Sequence, residues 1–372
     1  MSRSIVISQQ GAKLIVKNQI FSIEKEGKEI KQIKPHDVES LILMGNVEIT
    51  NSAITLILRR GIDCVFMTKD GRYKGRIVGR GSKNIILRIA QFKFLLNEEN
   101  CIPIARAIVK GKIYNQRMVL MRVQRQIKDE QIAKDLAKMR MLIEKLDEIK
   151  QFDEILGTEG EASRIYFSHF GKCIRNPDFW FDGRNRRPPK DPVNACLSFG
   201  YSLLQMVLEG IILETGLDPY LGAFHKPEYG RPSLVLDLME EFRPVVVDSL
   251  VLRLINRKQL SPAEFGPPDE DNEMVDFAVE KSGKEDNAGE IFGVENNKEI
   301  NQDLTNRNDA IYLKGANRSV FISDFYGKMR EKMYYPPLDY ILSLREIMIQ
   351  QAYKFARVIK GEESAYLPFT IR

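Results

Sequence analysis

The sequence predicts an α+β protein, with a small N-terminal β domain over residues 1–86 and a larger C-terminal α-helical domain over residues 87–372. Three observations lead there. Apolar and polar residues alternate with period two through the first part of the chain. The period becomes helical from about residue 87. The stretch DPVNACLSFGYSLLQMVLEGIILETG, apolar on nearly all sides, reads as the central helix of the second part.

Taken in order, SIVISQQGAKLIVKNQIFSIEKEGKEIKQI reads as successive strands, with EKEGKE as a hairpin turn. VESLILMGNVEIT reads as a more buried strand pair broken at Gly45-Asn46, and AITLILRRG as a short helix or a strand. DCVFMTKDGRYKGRIV reads as a hairpin turning at Lys69-Asp70-Gly71.

In the second part, ILRIAQFKFLLNEEN forms a first helix ending before Pro103, and IPIARAIVKGKIYNQRMVLMRV a second. AKDLAKMRMLIEKLDEIKQ forms a third. The central helix has Asp191 as N-cap, Pro192 in its first turn and Gly216 at its end. A further helix begins near Ser233, and Pro244 should interrupt it. DAIYLKGANRSVFI reads as a small hairpin, or a turn between extended pieces. LDYILSLREIMIQQAYKFARVIKG reads as a basic amphipathic helix ended by Gly361.

The 372 residues are 43% hydrophobic and 29% charged, as in a soluble globular protein. The opening MSRSIVISQQ carries no signal-peptide pattern, and no apolar run reaches the roughly 18 uninterrupted residues of a membrane span. Four cysteines, Cys64, Cys101, Cys173 and Cys196, lack C-x-x-C spacing, which fits a reducing cytoplasm rather than a disulfide framework. Residues 264–303 carry 13 acidic and 3 basic side chains, about −10, in a chain of net +5, so the remainder is near +15. A basic body with one acidic, loop-like or largely disordered insertion suits a nucleic-acid binder, although solvated lysine-rich helices have the same composition.

Three stretches carry candidate chemistry. In FHKPEYGRPSLVLDLMEEFRP a scarce histidine, His225, precedes Asp237, Glu240, Glu241 and Asp248, which share a helix face at ideal spacing. An ordinary solvated acidic stripe has the same spacing. A divalent cation would instead relieve the mutual repulsion, and Lys226 and Arg231 nearby suit phosphates. In LGTEGEASRIYF, Gly157 and Gly160 bracket Glu159, which is expected at or near a helix start, where a carboxylate is favoured in any case. In NPDFWFDGRNRRPPKDPVN, Phe179, Trp180 and Phe181 interleave with Arg184, Arg186, Arg187 and Lys190. Such a loop can track phosphates and stack on bases; the plainer expectation is a solvated loop with Trp180 docked on the core. His36 and His169 read as structural.

Together these stretches, with LILMGNVEIT, RRGIDCVFMTKDGR, RRPPKDPVNACLSFGYSLL, GLDPYLGAFHKPEYGRPSLVLDLMEEFRP and RVIKGEESAYLPFTIR, make the chain resemble the CRISPR-associated adaptation integrase family. These are metal-dependent DNA endonucleases that insert spacers into CRISPR arrays in prokaryotic cytoplasm. The resemblance implies a homodimer joined mainly through the β domains, double-stranded and branched DNA as substrate, a small companion subunit, and no membrane. It implies Mg²⁺ or Mn²⁺ held by Glu159, His225 and Glu240; the imidazole tilts the choice toward Mn²⁺. Asp237 would support the site, Tyr166 and Asn194 would line it, and Arg184, Arg187, Lys226 and Arg231 would contact phosphates. A non-catalytic DNA-binding scaffold, or a metal-dependent phosphodiesterase acting on RNA or a small phosphoester, would share many of these features.

Overall fold

The computed structural model describes residues 3–69, 71, 73–79, 84–185, 188–267 and 310–371. The alternating N-terminal segment folds into β1 (Arg3–Ile7), β2 (Ala12–Lys17), β3 (Ile20–Lys25), β4 (Lys28–Ile33), β5 (Val38–Met44) and β6 (Val47–Ile49). Helix α1 (Asn51–Arg60) and strands β7 (Asp63–Met67) and β8 (Tyr73–Ile77) complete it. Two four-stranded sheets result, in the orders β1-β5-β7-β8 and β4-β3-β2-β6. β5 lies parallel to both β1 and β7, with Ile42 opposite Val65. The β3–β4 turn places Glu26 and Gly27 at positive φ, the twist a tight hairpin requires. The alternative left open for AITLILRRG resolves to helix: Thr50 caps it by accepting from Ala53 N–H, and Gly61 ends it in the left-handed region.

β5 and β6 are not a strand pair, contrary to the sequence reading. The chain passes from one sheet to the other at Gly45, whose φ is +73° and whose Cβ position is filled by the Gln10 side chain. β5 is buried on both faces. Leu41 and Leu43 enter the core between the two sheets, whereas Ile42 and Met44 face the helical core.

The helical part comprises α2 (Ile85–Leu95), α3 (Glu98–Ile127), α4 (Glu130–Lys145), α5 (Phe152–Phe170), α6 (Pro192–Thr215), α7 (Ser233–Phe242), α8 (Ser249–Asn256), α9 (Gly315–Met329) and α10 (Leu344–Ile359). Short antiparallel pairs are formed by β9 (Phe265–Gly266) with β10 (Tyr312–Leu313), and by β11 (Lys332–Tyr335) with β12 (Tyr340–Ser343).

α6 has the caps its sequence predicts: Asp191 accepts from Asn194 N–H and Gly216 closes the helix. It is long and apolar enough to cross a bilayer, but here most of its residues are buried in the core. Pro244 interrupts the helix after α7, and residues Arg243–Asp248 form a π-helical turn.

Three boundaries differ from the sequence reading. Asn97 caps α3 by accepting from Glu99 N–H, so α3 starts before Pro103 and contains it. Residues 315–329 form α9 rather than a hairpin, leaving only Tyr312–Leu313 extended. α10 starts at Leu344 behind a Ser343/Glu346 capping box, because residues 340–343 pair with β11. The acidic insertion expected at 264–303 lies outside the described residues from position 268; residues 265 and 266 form β9.

Replacing Gly45 with alanine forces a side chain into the left-handed region at the sheet crossing. We expect a loss of about 1–2 kcal/mol in stability, read from denaturant unfolding. An unchanged midpoint would show that the crossing tolerates another conformation.

Candidate active site

α7 follows the loop that carries His225, and Asp237 on its inner face is the post on which that loop is tied. The Asp237 carboxylate is fully buried and accepts four hydrogen bonds. Three come from the backbone N–H groups of Ala223 (2.6 Å), Phe224 (2.9 Å) and His225 (2.8 Å). The fourth comes from His225 Nδ1, at 2.8 Å. Because a carboxylate only accepts, it fixes the tautomer with the proton on Nδ1 and leaves Nε2 as the outward lone pair. Gly222 is required for this arrangement, since a Cβ there would lie 2.4 Å from Asp237 Oδ2 and 2.8 Å from the Ser233 backbone.

One turn further along α7, Glu240 is 4% exposed. Its Oε1 is 4.0 Å from His225 Nε2 and 3.3 Å from Arg243 Nε. Its Oε2 is 2.6 Å from Lys112 Nζ, a buried lysine of α3, yet makes no well-directed hydrogen bond. Lys112 also donates to Glu159 Oε1 on α5, which accepts a second bond from Ser163 Oγ at 2.8 Å. Burial pushes the Glu240 carboxyl up, but chiefly the positive charges of Lys112 and Arg243 outweigh it and hold it at about 2. Glu240 is thus an ionised carboxylate inside a protein core.

Glu159, Glu240 and His225, distant in sequence, therefore meet in one place, with the Lys112 ammonium between the two carboxylates. Among the described residues no three His, Cys, Asp or Glu side chains stand close enough to chelate an ion as they are arranged. The donor set of two carboxylate oxygens and one imidazole nitrogen still fits a hard or borderline divalent cation. The poorly bonded Glu240 Oε2 marks the atom that would accept it.

Glu159 is not near a helix start. It sits about two turns inside α5, and Gly157 and Gly160 have helical neighbours but nothing within 4 Å of a Cβ position. The glycines keep the α5 surface beside Glu159 open.

The four acidic residues of the α7 stretch do not share one solvated face. All four are buried: Asp237 and Glu240 flank His225, whereas Glu241 and Asp248 hold other partners. Consecutive residues of a helix point about 100° apart, so Glu241 turns away from Glu240. It accepts from Tyr366 (2.7 Å), Gln351 and the Phe369 N–H, anchoring the C-terminal segment; burial pushes its carboxyl up to about 7. Asp248, beyond the π turn, accepts from Tyr166 (2.9 Å) and Tyr201 (2.6 Å). Burial raises Asp248 to about 6 against the opposing effect of both tyrosine hydroxyls and of Arg184 and Arg243.

Tyr166 accordingly does not line the site: it is fully buried on Asp248. Asn194 is also fully buried. It accepts from Arg184 (2.7 Å) and from the Asn185 N–H, and donates to the Gly183 carbonyl, so it fixes the loop that carries Arg184. Arg184 and Arg243 both lie over the Tyr201 ring, 5.4 and 4.7 Å from its centroid; of the two, Arg243 contacts Glu240.

Lys226 is exposed, with Nζ 5.8 Å from the Phe152 ring, and Arg231 pairs with Glu228 on the same loop. Arg187 and Arg186 lie outside the described residues. The docked aromatic of the 176–194 loop is Phe179, 4% exposed, not Trp180, which is 57% exposed. His169 is structural, bonding Asp135 at 2.8 Å.

Sequence reasoning missed Lys112, Arg243 and Tyr201. Lys112 left a readable signal: it is a charge on the buried stripe formed by Ile108, Asn115, Gln116 and Val119 of α3.

The comparisons agree with this architecture. Residues 5–284 match the family model described as CRISPR associated protein Cas1. The chain is 30% identical to the CRISPR-associated endonuclease Cas1 1 of Chlorobaculum tepidum, over 99% of this chain and 98% of that protein. It is 35% identical to the CRISPR-associated endonuclease Cas1 of Leptospira interrogans, over 76% of this chain and 99% of that one. It is 31% identical to the Geobacter sulfurreducens Cas4/Cas1 fusion, of whose length it spans 57%. A solved Cas1 protein from Thermotoga maritima has the same fold, with a TM-score of 0.73 at 24% identity and 98% of each chain covered. A casposase bound to its integration product superposes with a TM-score of 0.76 at 20% identity, over 99% of this chain and 93% of that one.

Fold and relatives together define the class as CRISPR-associated endonucleases. Within that class, the chain belongs to the Cas1 family.

Two outcomes follow. Replacing Gly222 with alanine should loosen the His225 loop and cost about 2–4 kcal/mol, measured by thermal or denaturant unfolding. The Asp248 carboxyl holds its proton more tightly folded (about 6) than unfolded (3.8), so its contribution is full at low pH and is lost as pH rises through about 6. The stability of the wild type relative to Asp248→Asn should therefore fall by about 2.5 kcal/mol between about pH 4 and about pH 7. A pH-independent difference would contradict the raised carboxyl.

Proposed function

We propose that this protein is a metal-dependent DNA endonuclease and strand-transfer integrase that joins spacer DNA 3′-hydroxyl ends to a CRISPR repeat. The observation that carries this reading is the convergence of Glu159 and Glu240 on Lys112, with His225 Nε2 4.0 Å from Glu240 and Arg243 beside it, reached from α5, α7 and the loop before it. Glu159, Glu240 and His225 would hold Mg²⁺ or Mn²⁺. When bound, such an ion supplies charge neutralisation on the scissile phosphate and activation of the attacking oxygen.

The chain's own groups do the rest. Asp237 holds the imidazole so that the Nε2 lone pair faces Glu240. Arg184 and Arg243, stacked on Tyr201 and indirectly braced by Asp248, present positive charge where a phosphodiester would lie. Lys226 and Arg231 extend that charge onto the loop, and Arg187 belongs to the same basic segment. With water as the nucleophile the product is a nick. With a DNA 3′-hydroxyl, a new phosphodiester bond forms as the old 3′-oxygen leaves, and the result is strand transfer.

The substrates of this reading are double-stranded and branched DNA. A homodimer through the N-terminal β domain, residues 1–86, belongs to the same reading. Exposed Leu58 and Val78 border one groove there, and Ile85, Ile86 and Ile89 of α2 add apolar surface beyond it. A small companion subunit is included because one solved complex with this fold is described as Cas6-RT-Cas1–Cas2. Cytoplasmic action without a membrane completes it.

The test is nicking of a branched DNA in Mn²⁺ or Mg²⁺. His225→Ala should reduce it at least about 100-fold while circular dichroism and unfolding remain close to wild type. Undiminished nicking by a folded His225→Ala protein would contradict the site. No metal-dependent nicking by the wild type would favour a non-catalytic DNA-binding scaffold. Cleavage of RNA or a small phosphoester without strand transfer would favour a phosphodiesterase.

A further inference from the structure

Lys112 is a buried amine that none of the chemistry above uses. It comes from the middle of α3, and its side chain is 8% exposed. Gly111 beside it is closed by Pro368 of the C-terminal segment, which a Cβ would approach to 2.5 Å. The ammonium has three donors and no acceptor. It donates to Glu159 Oε1 and stands 2.6 Å from Glu240 Oε2. One compact charge thus bridges two carboxylates that belong to different helices, both largely shielded from water. These are the same oxygens a divalent cation would need, and an ammonium and a metal ion cannot share them, by charge or by space.

We propose that Lys112 is the resident counter-ion of the metal-free site, and that an entering ion binds only by displacing its ammonium from between Glu159 and Glu240. The inference rests on reading these residues as metal ligands. Lysine suits the task because its charge sits on a flexible four-carbon stem and can swing away without unfolding α3, whereas an arginine fork would clamp the carboxylates. The device keeps two buried carboxylates from repelling each other before the ion arrives. The same contact sets the affinity: every ion bound must overcome the ion pairs it replaces.

The experiment compares wild type with Lys112→Met, an uncharged side chain of similar length, by Mn²⁺ titration followed through the electron paramagnetic resonance of free Mn²⁺ and by thermal unfolding with and without Mn²⁺. Without metal, Lys112→Met should melt lower, on the order of 5 °C, because the carboxylates lose their partner. With Mn²⁺ it should recover more than wild type gains, and its Mn²⁺ affinity should rise about tenfold or more. Equal or weaker Mn²⁺ binding by a folded Lys112→Met protein overturns this proposal and leaves the metal reading standing. No Mn²⁺ binding by either protein overturns both.

If Lys112→Met does not fold, acetylation of Lys112 in the wild type, followed by mass spectrometry, replaces it. Reactivity should rise severalfold when Mn²⁺ is added; unchanged reactivity overturns the proposal.

Discussion

The site depends on one interaction, the placement of a lysine ammonium between the carboxylates of two helices. Burial of an unpaired carboxylate costs several kcal/mol, so Glu240 would not hold its charge in this position alone. With Lys112 from α3, Glu240 of α7 stays ionised despite near-complete burial, and Glu159 of α5 is drawn to the same point. α3 packs on both α5 and α7, and all three helices contribute to a single core. Their packing and the charge arrangement therefore support each other: the helices hold the carboxylates close, and the cation makes the closeness tolerable.

Around that centre, every other buried acid positions something. Asp237 consumes its hydrogen-bonding capacity on three backbone amides and one imidazole, turning a loop segment into a rigid mount. Asp248 fixes two tyrosines, one of which is the platform for Arg184 and Arg243. Glu241 ties down the C-terminal segment, which Asn115 of α3 also grips through Phe369 and Ile371. These are extensively bonded polar networks, and such networks specify a unique geometry more than they add stability.

Much of this was legible in the sequence, for identifiable reasons. Local chemistry announced itself: the α6 caps at Asp191 and Gly216, the Pro244 interruption, and the β3–β4 turn follow from residues adjacent in the chain. The pairing of Glu159, His225 and Glu240 was legible only through family resemblance, because no periodicity links positions on three separate elements. What ideal helical spacing suggests about Asp237, Glu240, Glu241 and Asp248 holds for the first two, which flank His225, and fails for Glu241 and Asp248. Helical phase says which residues share a face, not which neighbour each meets, and the π turn shifts the phase before Asp248. Glycines usually punctuate, so the sequence around Glu159 reads as a helix start; in α5 they instead leave open surface in mid-helix. A lysine in a helix is ordinarily solvated, so the readable signal of Lys112, its place on the stripe of Ile108, Asn115, Gln116 and Val119, is weak until packing shows that stripe buried.

The most direct test of this account is a crystal structure of the protein grown or soaked with Mn²⁺, with anomalous diffraction to locate the ion. The account predicts an anomalous peak bounded by Glu159, Glu240 and His225 Nε2, with Lys112 Nζ withdrawn from Glu240 Oε2. A peak elsewhere, or a saturated crystal in which Lys112 still joins the two carboxylates and no ion lies among them, would contradict it.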